Sequence, residues 1–513
     1  MSATSPVAVV LDEDAIVAAH EQDTNAWWLY STEVLDHLRV PYDVVPHDRA
    51  AARVAAGGIA VYAREGRVVT ATGEWAFDPG IWERIVSIQQ GIPVETDGVP
   101  APDGSAPVDD GLLKCDDGIV LSYADDRALP PGEAGADGAF PHVYPPPAAA
   151  PIFHQGTADR LRLSFLDVLF DAAAAAGVTL PWLYYWPAGV PAVAHMSHDS
   201  DGNVSEQALS GLRVFDEAGV KVTWCHCYPG GYAPEVVEEI AARGHEQALH
   251  YNAMGDADIA SWGWPQLRAQ YAWAQALTGR ENIVSNKNHY TRWEGWDDFF
   301  LWSEKVGIRI DQSRGPSKQG NVGFPFGSCH LSFPMAGAGE RNRLIDVLEL
   351  PLHTQDLAWA SHASIRDVIL EEVLALHGVA HFLFHSAHLH TKPYVAQACR
   401  EVAVEARRRG MQWWTSEQLN DWERSRRGVR LSVEPGAGSG ELRIAVSARE
   451  AMKATGVLVA VPGLAADASV SVADGAATCA VVTRHGRRLL ELAADLPEGT
   501  SQFTVVVGTK VSA

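Results

Sequence analysis

Two carboxylates, Asp199 and Asp201, follow the apolar residues 192–196 and precede a glycine. If those residues form a strand, side chains two positions apart point the same way, so both carboxylates could face one site. Neighbouring carboxylates repel each other unless a cation or a shared proton relieves the repulsion. One of them could then bind a metal while the other acts as a base. An equally weighted alternative is an Asx-turn that caps a helix beginning near Ser205.

The stretch GHEQALHYNAM, at 244–254, contains two histidines. The H-E-x-x-x-H spacing has one residue more than a zincin motif. On a helix His245 and His250 would lie about 140° apart. On a strand their odd spacing would point them to opposite faces. At most one of them is therefore a ligand, and His250, which follows the apolar pair Ala248 and Leu249, is in the better position to bind a metal.

Two more polar stretches follow apolar runs, at 286–293 (NKNHYTRW) and at 384–390 (FHSAHLH). A barrel of parallel strands carries its chemistry at the C-terminal ends of the strands. These stretches are therefore predicted to line the same cleft as the aspartates. The candidate substrate contacts among them are Tyr290, Arg292, Trp293 and His388.

Helical and apolar strand patterns alternate seven or eight times between residues 152 and 425, which predicts a parallel (β/α) barrel. The predicted helices are 158–176, 205–218, 233–243, 265–277, 297–306, 364–376 and 393–409. The predicted strands are 192–196, 220–227, 246–250, 283–285, 308–311, 344–350, 381–384 and 411–414.

The flanking segments predict further units. Residues 1–98 alternate between strand and helix and resemble the flavodoxin-like domains of the glutamine amidotransferase superfamily, which implies only a small α/β fold. Residues 99–151 form a Pro/Gly-rich connection to the barrel at 152–428. Residues 429–513 lose helical periodicity and predict a β-sandwich. That sandwich either binds glycans or covers the barrel, and the covering role is favoured.

Composition excludes several classes of function. Apolar residues make up 47% of the chain and the net charge is −24, so neither a nucleic-acid backbone nor an anionic membrane is expected as main partner. No apolar run of 18 residues and no secretory pattern is visible, so we expect a cytoplasmic protein. Six cysteines are too few for a disulfide scaffold, and Cys225 and Cys227 are predicted to be small buried groups of a strand.

Residues 190–425 resemble the polysaccharide deacetylase family, the NodB-homology carbohydrate esterases. SHDSDG at 197–202 matches the first motif, which implies that Asp199 is the base and Asp201 a metal ligand. GHEQALHYNAM matches the second motif and implies that His250 is a ligand. Met254 stands where the family has a second histidine ligand, and a thioether suits hard or borderline ions poorly.

The later motifs follow in the family's order. Lys287 stands where the family has an arginine that orients the base, and His289 is an additional imidazole that could replace the missing ligand. The resemblance implies that His385, after Leu383 and Phe384, is the general acid. MQWWTSEQLNDW, at 411–422, resembles the family's final strand and helix.

The resemblance implies an α/β fold with a distorted (β/α) barrel, and a divalent metal, with zinc as the first choice. The implied reaction cleaves the C–N bond of an N-acyl sugar, typically N-acetyl, or of a related compound by attack of metal-bound water. A small molecule or a carbohydrate is the expected partner, and the number of subunits stays open. Two alternatives remain. One is a catalytically inactive carbohydrate-binding barrel, which Met254 favours, and the other is an allantoinase-like hydrolase of cyclic amides.

Overall fold

The computed structural model describes residues 5–90, 155–253, 262–315, 323–324, 326–360 and 363–508, together with three short strands between 106 and 122. These residues form a mixed α/β protein with one large parallel sheet and several separate antiparallel sheets. This arrangement fits a (β/α) barrel with additional domains. Among the described residues, no helix combines the length and the apolar character that crossing a membrane requires.

Residues 5–90 contain a five-stranded sheet with the order β2-β1-β3-β4-β5. β1 is parallel to β2 and β3, and the remaining pairs are antiparallel. Every residue of β1 and β3 is buried, as their apolar sequences require. The strands are β1 Val7–Val10, β2 Tyr42–Val45, β3 Ile59–Tyr62, β4 Arg67–Thr70 and β5 Gly73–Ala76. The helices are α1 Glu13–Glu21, α2 Ser31–Leu38, α3 His47–Ala55 and α4 Ile81–Gln90.

A small antiparallel sheet has the order β6-β7-β8. Its strands are β6 Ala106–Val108, β7 Leu112–Lys114 and β8 Val120–Ser122. They lie within the segment that the sequence predicts to be a Pro/Gly-rich connection.

The large sheet is parallel throughout the described residues, with the order β15-β14-β13-β12-β11-β10-β17-β16 and with β18 beside β10. The chain enters this region through α5 Thr157–Ala175 and β9 Leu180–Pro187. The strands of the sheet are β10 Val193–Asp199, β11 Thr223–Cys227, β12 Glu246–Tyr251, β13 Ser285–Asn288, β14 Ile310–Asp311, β15 Leu348–Glu349, β16 Thr354–Gln355, β17 Val379–His385 and β18 Gln412–Trp414. The helices between and after them are α6 Ser205–Ala218, α7 Pro234–Ala242, α8 Trp264–Thr278, α9 Asp298–Val306, α10 Ile365–Leu376, α11 Ser386–Thr391, α12 Pro393–Arg408 and α13 Ser416–Arg427.

The centre of this sheet explains why its strands are easy to find in the sequence. All residues of β10, β11 and β12 are buried, because helices cover a parallel sheet and leave its middle strands no exposed face. β13 differs, since it consists of Ser-Asn-Lys-Asn and begins at the last residue of the predicted strand at 283–285. Its polar side chains are buried, and one of them, Lys287, belongs to the site described below.

Two antiparallel sheets follow, with the orders β19-β20-β25-β22 and β23-β24-β21-β9. Their strands are β19 Arg430–Pro435, β20 Glu441–Ala448, β21 Met452–Ala460, β22 Ser469–Asp474, β23 Thr478–Arg484, β24 Arg487–Leu496 and β25 Gly499–Gly508. β9, which precedes the parallel sheet in the chain, pairs antiparallel with β21. This pairing joins the C-terminal sheets to the barrel segment.

Candidate functional site

The register of the parallel strands brings the motif residues to one edge of the sheet. Asp199, the last residue of β10, lies opposite His385, the last residue of β17. On the other side of β10, His250 of β12 lies opposite Lys287 of β13. Parallel strands end at the same edge, so residues from distant motifs meet there.

A tight turn after β10 positions the second aspartate. Asp201 begins a short 3₁₀ turn, and Gly202 has φ 72°, a left-handed conformation that favours glycine. Helix α6 then begins at Ser205, and Val204 at its N-cap makes no side-chain hydrogen bond within the described chain. The prediction that an Asx-turn caps this helix is therefore wrong, and the carboxylates are left for another role.

Two imidazoles meet the Asp201 carboxylate. His250 Nε2 lies 3.3 Å from Asp201 Oδ1, and His289 Nε2 lies 3.4 Å from Asp201 Oδ2. The same His250 nitrogen lies 3.6 Å from Asp199 Oδ2. His250 is fully buried, and His289 is 6% exposed. We call Asp201, His250 and His289 the Asp201 cluster.

Hydrogen bonding fixes the orientation of the His250 ring. Its Nδ1–H donates to the backbone carbonyl oxygen of Lys287 at 2.9 Å, since a carbonyl can only accept. In the neutral ring, Nε2 therefore directs a lone pair at two carboxylates. Within the described part of the chain, His250 Nε2 and Asp201 Oδ1 are buried without a hydrogen bond. Acceptors that face each other in this way fit a bound cation, and a second-shell carbonyl of this kind is usual for metal-ligating histidines.

The charge of Asp201 agrees with a ligand role. Burial by itself raises the pKa of its carboxyl group, but attraction by His289 and His385 holds that pKa well below its usual range. Asp201 is therefore a carboxylate at neutral pH, the form that binds a metal.

Cys227 is a candidate ligand that the sequence did not reveal. Both Cys225 and Cys227 are buried in β11, as predicted for small groups of a strand. Nevertheless, Cys227 Sγ and the ligand atoms of the Asp201 cluster all lie within 4.8 Å of one another. The only signal in the sequence is that Cys227 ends a strand next to the two that carry Asp199 and His250.

Lys287 is buried beside the other aspartate. Its Nζ lies 3.8 Å from Asp199 Oδ2 and 3.2 Å from Ser197 Oγ. Lys287 is fully buried and Asp199 is 2% exposed, so the ammonium compensates the carboxylate where water cannot. Lysine supplies this charge as a point, without the planar fork of an arginine.

His385 connects the aspartates to a second carboxylate. Its Nε2 lies 3.9 Å from Asp199 Oδ2 and 3.9 Å from Asp201 Oδ2, while its Nδ1–H donates to Asp356 Oδ2 at 2.6 Å. Burial by itself lowers the pKa of His385, but attraction by Asp356 and the hydrogen bond that His385 donates to it, with the charges of Asp201 and Asp199, raise that pKa to about 10. The ring is therefore protonated at neutral pH.

Asp356 binds two histidines. It also accepts the backbone N–H of His385 at 2.9 Å, and the Nδ1–H of His388 at 2.7 Å. We call Asp356, His385 and His388 the Asp356 cluster. Asp356 was not among the sequence candidates, because it follows β16, a strand of only two residues whose periodicity cannot be recognised. The ring of His388 lies 4.0 Å from that of Trp359.

The remaining sequence candidates are divided between surface and core. Tyr290 is 48% exposed beside His289 and can reach a ligand. Arg292 is buried and pairs with Glu294 at 2.5 Å. Trp293 is 1% exposed and packs between the rings of Phe299 and Phe300. Arg292 and Trp293 thus support the core in this structure and present no face to a substrate, contrary to expectation.

The two histidines of the second motif lie in different places, as their odd spacing on a strand requires. His245 Nδ1 accepts a hydrogen bond from the backbone N–H of Val222 at 3.1 Å, in the packing between strand and helix. His250 lies in the Asp201 cluster. Met254, at the position of the family's second histidine ligand, lies outside the described residues.

Comparisons with known proteins give matches only in structure. No protein-family model matches the sequence, and no curated protein matches it. A putative polysaccharide deacetylase from Mycobacterium smegmatis matches with 17% identity and a TM-score of 0.34, over 47% of this chain and 92% of that one. A family 4 acetyl xylan esterase from Clostridium thermocellum, in complex with a cobalt ion, matches with 12% identity and a TM-score of 0.27, over 44% and 89%. A family 4 carbohydrate-esterase pseudoenzyme from Bacillus anthracis matches with 10% identity and a TM-score of 0.27, over 44% and 65%.

Proposed function

We propose that this protein is a metal-dependent hydrolase of the polysaccharide-deacetylase kind, which cleaves the C–N bond of an N-acyl sugar or a related compound. The observation that carries the proposal is the meeting of two carboxylates with a buried imidazole lone pair beside a second histidine, His385. Asp199 and Asp201 lie 3.6 and 3.3 Å from His250 Nε2, and His385 Nε2 lies 3.9 Å from both aspartates.

Asp201, His250 and His289 would hold the cation. One carboxylate and two imidazoles form a donor set that suits zinc and its neighbours better than magnesium or calcium. A divalent cation in this place supplies Lewis-acid activation of water and of the acyl carbonyl. The two imidazoles are buried, which limits competition from bulk solvent, and the side chain of Asp201 is 33% exposed.

Asp199 is the proposed base. Its side chain is buried, and Lys287 Nζ lies 3.8 Å away, so the charges of the two groups compensate each other where water is excluded. Asp199 would accept the proton of the attacking water. Lys287 would orient Asp199 and is thus a positioning residue in this proposal.

His385 is the proposed acid. Asp356 holds its Nδ1–H, which leaves the second ring nitrogen, Nε2, directed toward the aspartates. Protonated Nε2 would donate its proton to the leaving amine. The products are a free amine and a carboxylate, which is acetate for an N-acetyl substrate.

The division of the chain into domains at residues 98, 151 and 428 belongs to the same proposal. The pairing of β9 with β21 supports a covering role for the C-terminal β-sandwich, because it ties these sheets to the chain that enters the barrel. A freely presented glycan-binding module would not need this connection.

The test is the release of acetate from N-acetylated sugars by metal-loaded protein. The matched control is Asp199→Asn, which keeps the size of the side chain but removes the base. We expect Asp199→Asn to retain its metal and to lose about 10²–10⁴-fold in turnover, the range of general-base catalysis. Normal turnover by this variant would show that the assigned base is wrong. A protein with one ion per chain that hydrolyses no N-acyl compound would contradict the proposed function and favour an inactive carbohydrate-binding barrel.

A further inference from the structure

Cys227 occupies the end of β11 at the edge where the candidate site lies. The register places Cys227 opposite His250 on β12. Residues that lie opposite each other on parallel strands direct their side chains to the same face. Cys227 is 4% exposed, and its side chain therefore faces the buried part of the site.

The turn that carries Asp201 also holds Cys227. The backbone N–H of Cys227 donates to Ser200 Oγ at 2.8 Å. Its carbonyl oxygen accepts a hydrogen bond from Asn203 Nδ2 at 2.7 Å. Ser200 and Asn203 are also bonded to each other through their side chains, at 2.8 Å. Residues on both sides of Asp201 thus fix the backbone of Cys227, so one local network sets the positions of the carboxylate and the thiol.

The separations within the Asp201 cluster suit ligands of one ion. Zinc binds nitrogen and oxygen at about 2.0–2.2 Å and sulfur at about 2.3 Å, so neighbouring ligand atoms in a tetrahedral site lie roughly 3.3–3.7 Å apart. The contacts of Asp201 with His250 and His289, at 3.3 and 3.4 Å, are in this range. Cys227 Sγ lies within 4.8 Å of each of these ligand atoms.

We infer that Cys227 supplies a thiolate ligand, so that the cation is held by one carboxylate, one thiolate and two imidazoles. This inference rests on the proposed metal centre and specifies its donor set. A thiolate favours zinc or cobalt over manganese, magnesium and calcium. Four protein donors would fill a tetrahedral site, so a reacting water would require a fifth position, as catalytic zinc sites can provide.

The test is the absorption spectrum of the full-length protein loaded with cobalt(II). At one cobalt per chain, we expect a thiolate-to-cobalt charge-transfer band in the near ultraviolet. The band should disappear in Cys227→Ser, which should also bind cobalt at least about tenfold more weakly. The matched control is Cys399→Ser, since Cys399 is another buried thiol, packed against Met196 Sδ at 3.7 Å, and its replacement should leave the band unchanged.

The possible failures are distinguishable. One cobalt per chain without the charge-transfer band would overturn the thiolate ligand and leave the proposed metal centre standing. A band that persists in Cys227→Ser would also overturn it, because another sulfur would be the source. No cobalt binding at all would overturn both proposals. The spectrum of the unmodified protein decides the first and third of these outcomes without any variant, and only the second requires folded Cys227→Ser.

Discussion

Two clusters at the same edge of the sheet combine one aspartate with two histidines, and their geometries differ. Asp201 faces the Nε2 atoms of its histidines at 3.3 and 3.4 Å. Asp356 accepts hydrogen bonds from the Nδ1 atoms of its histidines at 2.6 and 2.7 Å. Distances this short are typical of charge-assisted hydrogen bonds, so the Asp356 carboxylate already accepts an N–H proton from each of its two histidines.

The difference follows from where each ring makes its other contact. A backbone carbonyl takes the Nδ1–H of His250 and turns a lone pair toward Asp201. The carboxylate itself takes the Nδ1–H of His385. Identical residue types therefore have two different geometries, and the proposed function assigns a cation to the Asp201 cluster and protons to the Asp356 cluster. In this proposal ring orientation, more than composition, distinguishes the metal site from the proton-holding site.

The largest expected effect comes from Asp201→Ala. This change removes the carboxylate to which both imidazoles of its cluster are directed, so we expect hydrolysis to fall to the background rate. Acetate release from an N-acetylated sugar measures it. Activity close to that of the unmodified protein would show that Asp201 is not a ligand.

His289→Ala should weaken metal binding by at least about 100-fold, more than the loss of a second-shell partner usually costs. The reason is that His289 Nε2 lies 3.4 Å from Asp201 and would be the second imidazole ligand of the proposed metal centre. Competition with a chelator of known affinity measures the change. An unchanged affinity would remove His289 from the ligand set.

Asp356→Asn should leave the metal content unchanged and lower turnover by about 100-fold, at the lower end of the effect of acid–base catalysis. Asp356 is the main group that raises the pKa of His385, against the opposing effect of burial. In the proposed mechanism His385 acts in its protonated form, so the activity it supports should be lost as pH rises through its pKa. Without Asp356 that pKa falls, and the basic limb of the kcat/KM profile should move to lower pH. A limb that does not move would contradict the role of Asp356.

His388→Gln should have the smallest effect. Glutamine can still donate to Asp356, and the bond between Asp356 and His385 remains, so we expect kcat to change less than about tenfold. If His388 contacts the substrate, as the sequence suggested, the change should appear in KM. A fall in kcat as large as that of Asp356→Asn would show that His388 is itself part of the acid.

Much of the fold could be predicted, because buried parallel strands are continuous apolar runs and their helices are amphipathic. The limits of α6 agree with the prediction at 205–218. The strand predicted at 283–285 lies too early in the chain. The actual strand, β13, consists of polar residues, so a search for apolar runs could not find it. The pairing of β9 with β21 joins residues about 270 positions apart, which no local pattern can show.

The meeting of Asp199, His250 and His385 at one edge of the sheet was predictable, because each lies at the end of a long strand. The burial of individual side chains could not be predicted in the same way. Trp293 and Arg292 look like cleft residues in the sequence, but contacts with residues distant in the chain pack them into the core. The second carboxylate and the thiol were missed for different reasons. Asp356 follows a strand of two residues, and Cys227 resembles any small buried side chain.

The most direct measurement is the metal content of tag-free protein by elemental mass spectrometry, for the unmodified chain, Asp201→Ala and Asp356→Asn. The distinction between the clusters predicts one ion per chain in the unmodified protein and in Asp356→Asn, and none in Asp201→Ala. No ion in the unmodified protein after dialysis against zinc would contradict it. An ion lost from Asp356→Asn and retained by Asp201→Ala would place the metal in the other cluster.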